Sequence, residues 1–184
     1  MYEVEIKVEL TQSERSDLVE SFKEKGFLFE GVTTQYDYYV EAVESQYGGF
    51  DLKRYRDEDG KYIYTEKITE LIQGEPTRKE NEHEVSKEEF ESKIKAFPDA
   101  LKIKKDREWF SAMYKGVEIS TIIDSVKFDH SPSMRYFIEA EIGVEDKNDV
   151  PKNKELIREF LKEILGKPHI TEAWGMFSMA FKKL

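Results

Sequence analysis

Charged residues recur at every second position along this chain: Glu3-x-Glu5-x-Lys7, Arg54-x-Arg56, Arg78-x-Glu80-x-Glu82-x-Glu84, Lys105-x-Arg107 and Glu139-x-Glu141, with Lys67 and Asp124 between them. Side chains in a β-strand alternate between two faces, so each set projects to one side at about 7 Å spacing. Clustered Arg and Lys match the oxygens of a polyphosphate, several cations offsetting several negative charges. Clustered carboxylates suit Mg²⁺ or Mn²⁺, hard cations that prefer oxygen ligands. Together the two sets fit phosphoryl or nucleotidyl transfer, which depends on positioning and charge neutralisation and needs no covalent nucleophile.

Any one pair taken alone reads as a solvated strand face, because charged residues are mostly exposed. The opposite faces separate the two possibilities. They carry Val4, Ile6 and Val8 in the first stretch, Tyr62 and Tyr64 in a hairpin, and Phe137 and Ile138 beside the last glutamates, enough apolar surface for helices to cover. Helices packed outside leave the charges in the interior. A closed sheet of about eight strands can enclose a polar lumen, and so many enclosed charges are costly unless a ligand and a metal complete their pairing.

Local signals mark out the strands and helices that carry these residues. Thr11-Gln-Ser-Glu14 is a capping box for a helix carrying Leu18, Val19 and Phe22, closed by Gly26. Strands are expected at 34–41 and 50–56, the second joined through Asp59-Gly60 to 61–68. Residues 69–77, with Gly74 and Pro76, read as a polar connector before a strand from Arg78 to Val85. Ser86 and Glu89 form a second capping box, ahead of Phe90, Ile94 and Phe97, and Pro98 stops that helix.

In the second half, β-type stretches lie at 102–114, 117–128 and 135–145, with a turn at Lys115-Gly116. A helix over 151–165 starts at a proline and ends at Gly166, and a short helix from about 171 carries Trp174, Phe177 and Phe181 on one face, as core or tunnel closure. The sum is an α+β chain, one domain over 1–184, built as an eight-stranded antiparallel β-barrel with helices packed outside.

Composition narrows the partners. In 184 residues, 39 acidic against 29 basic side chains leave a net charge of −10, which disfavours nucleic acid and anionic membrane surfaces. There is no cysteine, so disulfides and thiolate chemistry are excluded, and a reducing cytoplasm is the default compartment. No apolar run reaches the ~18 residues of a membrane span. His83, His130 and His169 show no metal-ligand spacing, and Gly48-Gly49 reads as a flexible turn. Monomer and homodimer both remain open.

The motif Glu3-x-Glu5-x-Lys7 resembles the ExExK signature of the CYTH, or triphosphate tunnel metalloenzyme, superfamily of class IV adenylyl cyclases and thiamine triphosphatases. Its weight comes from the residues further along the chain: Gln35-x-Asp37-x-Tyr39, Arg54-x-Arg56, Lys67, the Arg78 to Glu84 row, Lys105-x-Arg107, Asp124 and Glu139-x-Glu141, in that order. The resemblance implies a tunnel that binds ATP, thiamine triphosphate or tripolyphosphate with Mg²⁺ or Mn²⁺. It implies Lys7, Arg54, Arg56, Lys67, Lys105 and Arg107 as triphosphate ligands, with Lys7 also helping to activate water. Glu3, Glu5, Asp124, Glu139 and Glu141 are then the metal side, and Arg78, Glu80, Glu82 and Glu84 support the wall. It implies an enzyme, most like the cyclases, with a triphosphate hydrolase as the alternative and a non-catalytic polyphosphate or nucleotide sensor as a second. Ile68-Thr69 and Met134-Arg135 stand where many relatives have Gly-Pro and Leu-Gly, in segments expected to be loops that bear on substrate choice.

Overall fold

Hairpin turns of one kind set the course of the sheet. Asp59-Gly60, Gln73-Gly74 and Lys115-Gly116 each place two successive residues at positive φ, 49° and 86°, 50° and 87°, 48° and 82°. That geometry matches the right-handed twist of the strands it joins, and glycine takes the second place without a Cβ penalty. The computed structural model describes residues 2–182, apart from the side chain of Glu75. Its strands are β1 (Tyr2–Leu10), β2 (Leu28–Glu44), β3 (Phe50–Glu58), β4 (Lys61–Ile72), β5 (Glu75–Glu84), β6 (Leu101–Tyr114), β7 (Val117–Phe128) and β8 (Arg135–Val144). They close into an antiparallel barrel in the order β1-β5-β4-β3-β2-β6-β7-β8.

Three expectations about the extent of the strands shift. The polar connector over 69–77 is itself a hairpin: Gln73 accepts the left-handed conformation beside Gly74, so β4 and β5 run on to meet there. Ile68 and Thr69 therefore lie inside β4 rather than in a loop, whereas Met134 does precede β8. β2 is much longer than 34–41, because bulges between Phe29 and Gly31 and between Tyr39 and Glu41 bend it around the barrel.

Helices α1 (Gln12–Glu24) and α3 (Val150–Leu165) cover one outer side. The capping box forms as read, Glu14 N–H donating to Thr11 Oγ1 at 3.2 Å and Thr11 N–H to Glu14 Oε2 at 2.7 Å. Leu18 and Phe22 of α1 and Ile157, Phe160 and Leu161 of α3 pack on the outward row of β1, Val4, Ile6 and Val8, and on Ile138, Ala140 and Ile142 of β8. Helix α2 (Lys87–Ala96) covers the far side, its Phe90 ring 4.6 Å from Tyr62 and 5.6 Å from Tyr38. The outward apolar rows thus lie under helices and the charged rows face in.

One end of the interior is apolar. Tyr39, Phe50, Leu52, Ile103, Val126, Phe128 and Phe137 project inward there and receive Met176, Phe177 and Met179 of α4 (Met176–Lys182). Phe137 was expected on the outer face, but it shares the parity of Glu139 and Glu141 and so belongs inside. Helix α4 starts at Met176 rather than near 171, because residues 171–175 run as a strap along β1, where Ala173 N–H donates to Lys7 O at 2.7 Å. Trp174 precedes the helix and is exposed, so only Phe177 of the expected aromatic face is buried. Among the described residues β1 and β5 pair only at Tyr2 with Lys79 and Glu3 with Arg78, and beyond them β1, Pro76, Thr77 and the strap line a cavity at the seam. Truncating Phe177 to Ala, which removes a ring 4.9 Å from Phe50 and 5.1 Å from Tyr39, should cost about 3 kcal/mol in denaturant-induced unfolding.

Candidate active site

β2 is flanked by β3 on one side and β6 on the other, so inward residues of the three strands form one wall. On it Arg54 and Arg56 of β3 and Lys105 of β6 converge on Asp37 of β2, which is fully buried. Arg56 donates from Nε to Oδ1 at 2.7 Å and from Nη2 to Oδ2 at 3.3 Å. Lys105 Nζ lies 2.9 Å and Arg54 Nη1 3.5 Å from Oδ2. Burial works against the Asp37 charge, yet Arg54, Arg56 and Lys105 hold its carboxyl well below the usual range. Burial, with Arg56 and Arg107 nearby, pushes the Lys105 ammonium well down despite Asp37. Arg54 also donates to Thr65 Oγ1 at 2.9 Å, and its buried Nε has no partner among the described residues.

Across the tunnel, β6, β7, β8 and β1 build a second cluster. Arg107 donates to both oxygens of Asp124, at 2.6 and 2.9 Å, and to Glu139 Oε1 at 3.0 Å. Lys7 is ion-paired with Glu139, its directly opposed residue in the β1–β8 register. Burial opposes the Lys7 charge, but Glu139 and Glu5 override it and raise its pKa. Glu139 is driven well below the carboxylate range in spite of burial, by Lys7 and Arg107. Lys67 is ion-paired with Glu80, and its Nζ lies 3.4 Å from Glu3 Oε2. Burial outweighs these partners and lowers the Lys67 pKa, whereas Lys67 keeps Glu3 low against burial.

Glu5 and Glu141 oppose each other directly across β1 and β8. Like charges so placed repel, and burial together with Glu139 and Glu3 pushes the Glu141 carboxyl up to about 8. Glu3, Glu5, Glu139 and Glu141 therefore form an oxygen-rich set short of positive charge, a donor chemistry that fits a hard divalent cation. As the side chains stand, no three acidic or histidine residues among the described ones are drawn together closely enough to hold an ion. Glu139 is turned instead to Lys7 and Arg107, and Glu3 to Lys67.

All of the expected phosphate-side residues, and every expected metal-side residue except Asp124, line one cavity, together with Arg78, Glu80 and Glu82. Asp124 lies behind that lining, fully buried, with both oxygens committed to Arg107. Glu84 sits on the exposed rim, paired with Lys61 at 2.8 Å. Arg78 reaches the strap, where a Cβ on Gly175 would come within 3.2 Å of its Nη2. Two residues outside the expected set also matter. Asp37 anchors the cation wall, and its alternation with Gln35 and Tyr39 is the signal that puts it inside. Trp109 comes after Lys105 and Arg107 at the same parity and lines the cavity, its ring 5.2 Å from Arg107 Cζ and its indole N–H donating to Thr33 Oγ1 at 2.9 Å.

The fold and the site thus define a closed antiparallel β-barrel with a charged tunnel, apolar at one end. The CYTH domain family matches residues 1–172, and the chain belongs to that family. It is 32% identical over 168 residues, 89% of this chain and 90% of the relative, to a Methanocaldococcus jannaschii protein named as a candidate adenylate cyclase. Among solved structures it resembles PH1819 protein from Pyrococcus horikoshii, with a TM-score of 0.70, 22% identity and complete coverage of both chains. It also resembles a Hippeastrum protein described as a candidate adenylyl cyclase with a dominant triphosphatase activity, at a TM-score of 0.65 and 15% identity, covering 100% of this chain and 96% of that one.

Proposed function

We propose that this protein is a metal-dependent enzyme that binds a triphosphate in its tunnel and cleaves one phosphoanhydride bond. The observation that carries the reading is the crowding at Asp37: three buried cations, Arg54, Arg56 and Lys105, converge on one fully buried carboxylate, and their other carboxylate neighbours, Glu82 at 3.6 Å from Arg54 and Glu58 at 3.9 Å from Arg56, stand further off. Buried charge without a partner is costly, so the wall calls for a multiply charged anion. Arg54, Arg56, Lys105 and Arg107 are the groups that grip the phosphates, with Lys67 at the end of the row. Asp124, fully buried behind the tunnel lining that Glu139 reaches, sets the aim of Arg107 rather than ligating metal.

Glu3, Glu5, Glu139 and Glu141 would hold Mg²⁺ or Mn²⁺, which supplies charge neutralisation at the phosphate oxygens. Lys7, as an ammonium, donates hydrogen bonds to a phosphoryl oxygen or to an attacking hydroxyl. Glu139 and Glu5 beside it favour its charged form against burial. Arg78 and Glu80 fix the wall around Lys67, Glu82 does so for Arg54 through Thr65, and Glu84 stays at the rim.

The M. jannaschii relative favours adenylyl cyclase chemistry. There the ribose 3′-hydroxyl attacks the α-phosphorus of ATP, the bond to the bridging oxygen breaks, pyrophosphate leaves, and the hydroxyl proton passes to solvent. Trp109 offers a ring face for the organic end of such a substrate. The second reading, supported by the description of the Hippeastrum structure, is hydrolysis: water attacks the terminal phosphorus of thiamine triphosphate, tripolyphosphate or a nucleotide, and orthophosphate leaves. Incubation with ATP, thiamine triphosphate and tripolyphosphate, each with Mg²⁺ or Mn²⁺, decides between them. Cyclic AMP with pyrophosphate is the expected product from ATP; orthophosphate alone moves the assignment to the hydrolases, and no turnover of any of the three contradicts the enzyme reading.

A further inference from the structure

We propose that Asp37 is a positioning residue of the triphosphate site: its carboxylate aims Arg54 and Arg56 of β3 and Lys105 of β6 at a common anion and fixes the spacing between them. The inference rests on the reading of the tunnel as a triphosphate site and deepens it.

The place of Asp37 in the barrel makes this role possible. β2 is the strand between β3 and β6, and Asp37 pairs with Arg56 on one side and Ile103 on the other. Tyr39 opposes Arg54 and Gln35 opposes Lys105, so Arg54 and Lys105 lie on diagonals from Asp37. A single inward carboxylate therefore reaches cations on both neighbouring strands. It is fully buried and lies behind the lining of the tunnel, so it is not itself placed to touch a substrate. Its bond to Arg56 is a two-point fork, which fixes the plane of the guanidinium as well as its position. Tyr39, whose hydroxyl lies 3.5 Å from Oδ2, is buried on the same face, and burial with the Asp37 charge pushes its phenol up to about 12. Tyr39 thus stays neutral beneath the three cations.

Charge and geometry predict opposite signs for the loss of this group. Counting charge alone, removing an anion from beneath three cations makes the wall more positive and should tighten its hold on a polyanion. With positioning dominant, Arg54, Arg56 and Lys105 repel one another once the carboxylate is gone, and the spacing that matches successive phosphates is lost. Thr65 still holds one end of Arg54, so the wall loses alignment rather than its residues.

The test is calorimetric titration of tripolyphosphate and of orthophosphate into the 184-residue chain and its Asp37→Asn variant. Tripolyphosphate should bind the variant at least about tenfold more weakly, while orthophosphate, which needs no fixed spacing between cations, changes much less. Tighter or unchanged tripolyphosphate binding overturns the role of Asp37. Equal weakening of both ligands reduces Asp37 to general support of the fold and also overturns it. If Asp37→Asn does not fold, Asp37→Glu keeps the charge and shifts it by one methylene; several-fold weaker tripolyphosphate binding is expected, and unchanged affinity overturns the proposal. Failure of the unmodified protein to bind tripolyphosphate instead removes the triphosphate reading, and this inference with it.

Discussion

Replacing Glu141 by glutamine is expected to abolish metal-dependent turnover, by at least about 100-fold, and yet to make the metal-free protein more stable. Glu141 opposes Glu5 across the β1–β8 ladder, with Glu139 and Glu3 close by. A divalent cation held there would relieve the repulsion, which is otherwise a cost to the fold. A carboxyl at about 8 in the folded chain, against an ordinary 4.5, binds more protons folded than unfolded between those values. Stability therefore falls as pH rises through that window. Glutamine does not titrate, so the advantage of the variant should grow from about pH 5 to about pH 8 and then level, reaching on the order of 2 kcal/mol, or about 4 to 8 °C in Tm. Thermal melts in chelator across that range check it, and a variant that melts lower than the parent at pH 8 contradicts the crowding argument. Normal metal-dependent rates in the variant contradict the assignment of Glu141 to the metal side.

Arg107→Ala should weaken triphosphate binding, and it should also be the more damaging of the two substitutions to the fold. Arg107 donates to both oxygens of the fully buried Asp124 and to Glu139, so truncation takes both of these donors from Asp124 and leaves Glu139 with Lys7 alone. A loss of about 3–5 kcal/mol is expected. If that loss comes from the orphaned charge, the double variant Arg107→Ala with Asp124→Ala should recover a large part of it in denaturant unfolding while tripolyphosphate affinity stays low. Recovery of both properties, or of neither, goes against the division of labour in which Asp124 serves the fold and Arg107 serves the ligand.

Period-two alternation made the barrel and most of its lining legible, since a strand with one face under helices must send its other face elsewhere. Val4, Ile6 and Val8 under α1 and α3, with Glu3, Glu5 and Lys7 opposite, are the clearest case. What alternation cannot show is where along an inward row charge gives way to a plug. Phe137 has the parity of Glu139, but only the return of α4 into the barrel end makes an inward phenylalanine comfortable there. Partners were hidden for a similar reason. That Asp124 is spent on Arg107, and that Asp37 collects cations from two strands, depends on register between strands distant in sequence. The Gln73-Gly74 turn was missed because a glutamine at positive φ is uncommon and its neighbours are polar.

Thermal melting with and without tripolyphosphate tests most directly whether the tunnel is built around a triphosphate. A ligand that binds only the folded chain raises Tm in proportion to the logarithm of its concentration over Kd. Millimolar tripolyphosphate should raise it by several degrees and orthophosphate by far less, because only the longer anion spans Arg54, Arg56, Lys105 and Arg107 together. No shift with tripolyphosphate, or an equal shift with both anions, would contradict a tunnel organised for a triphosphate.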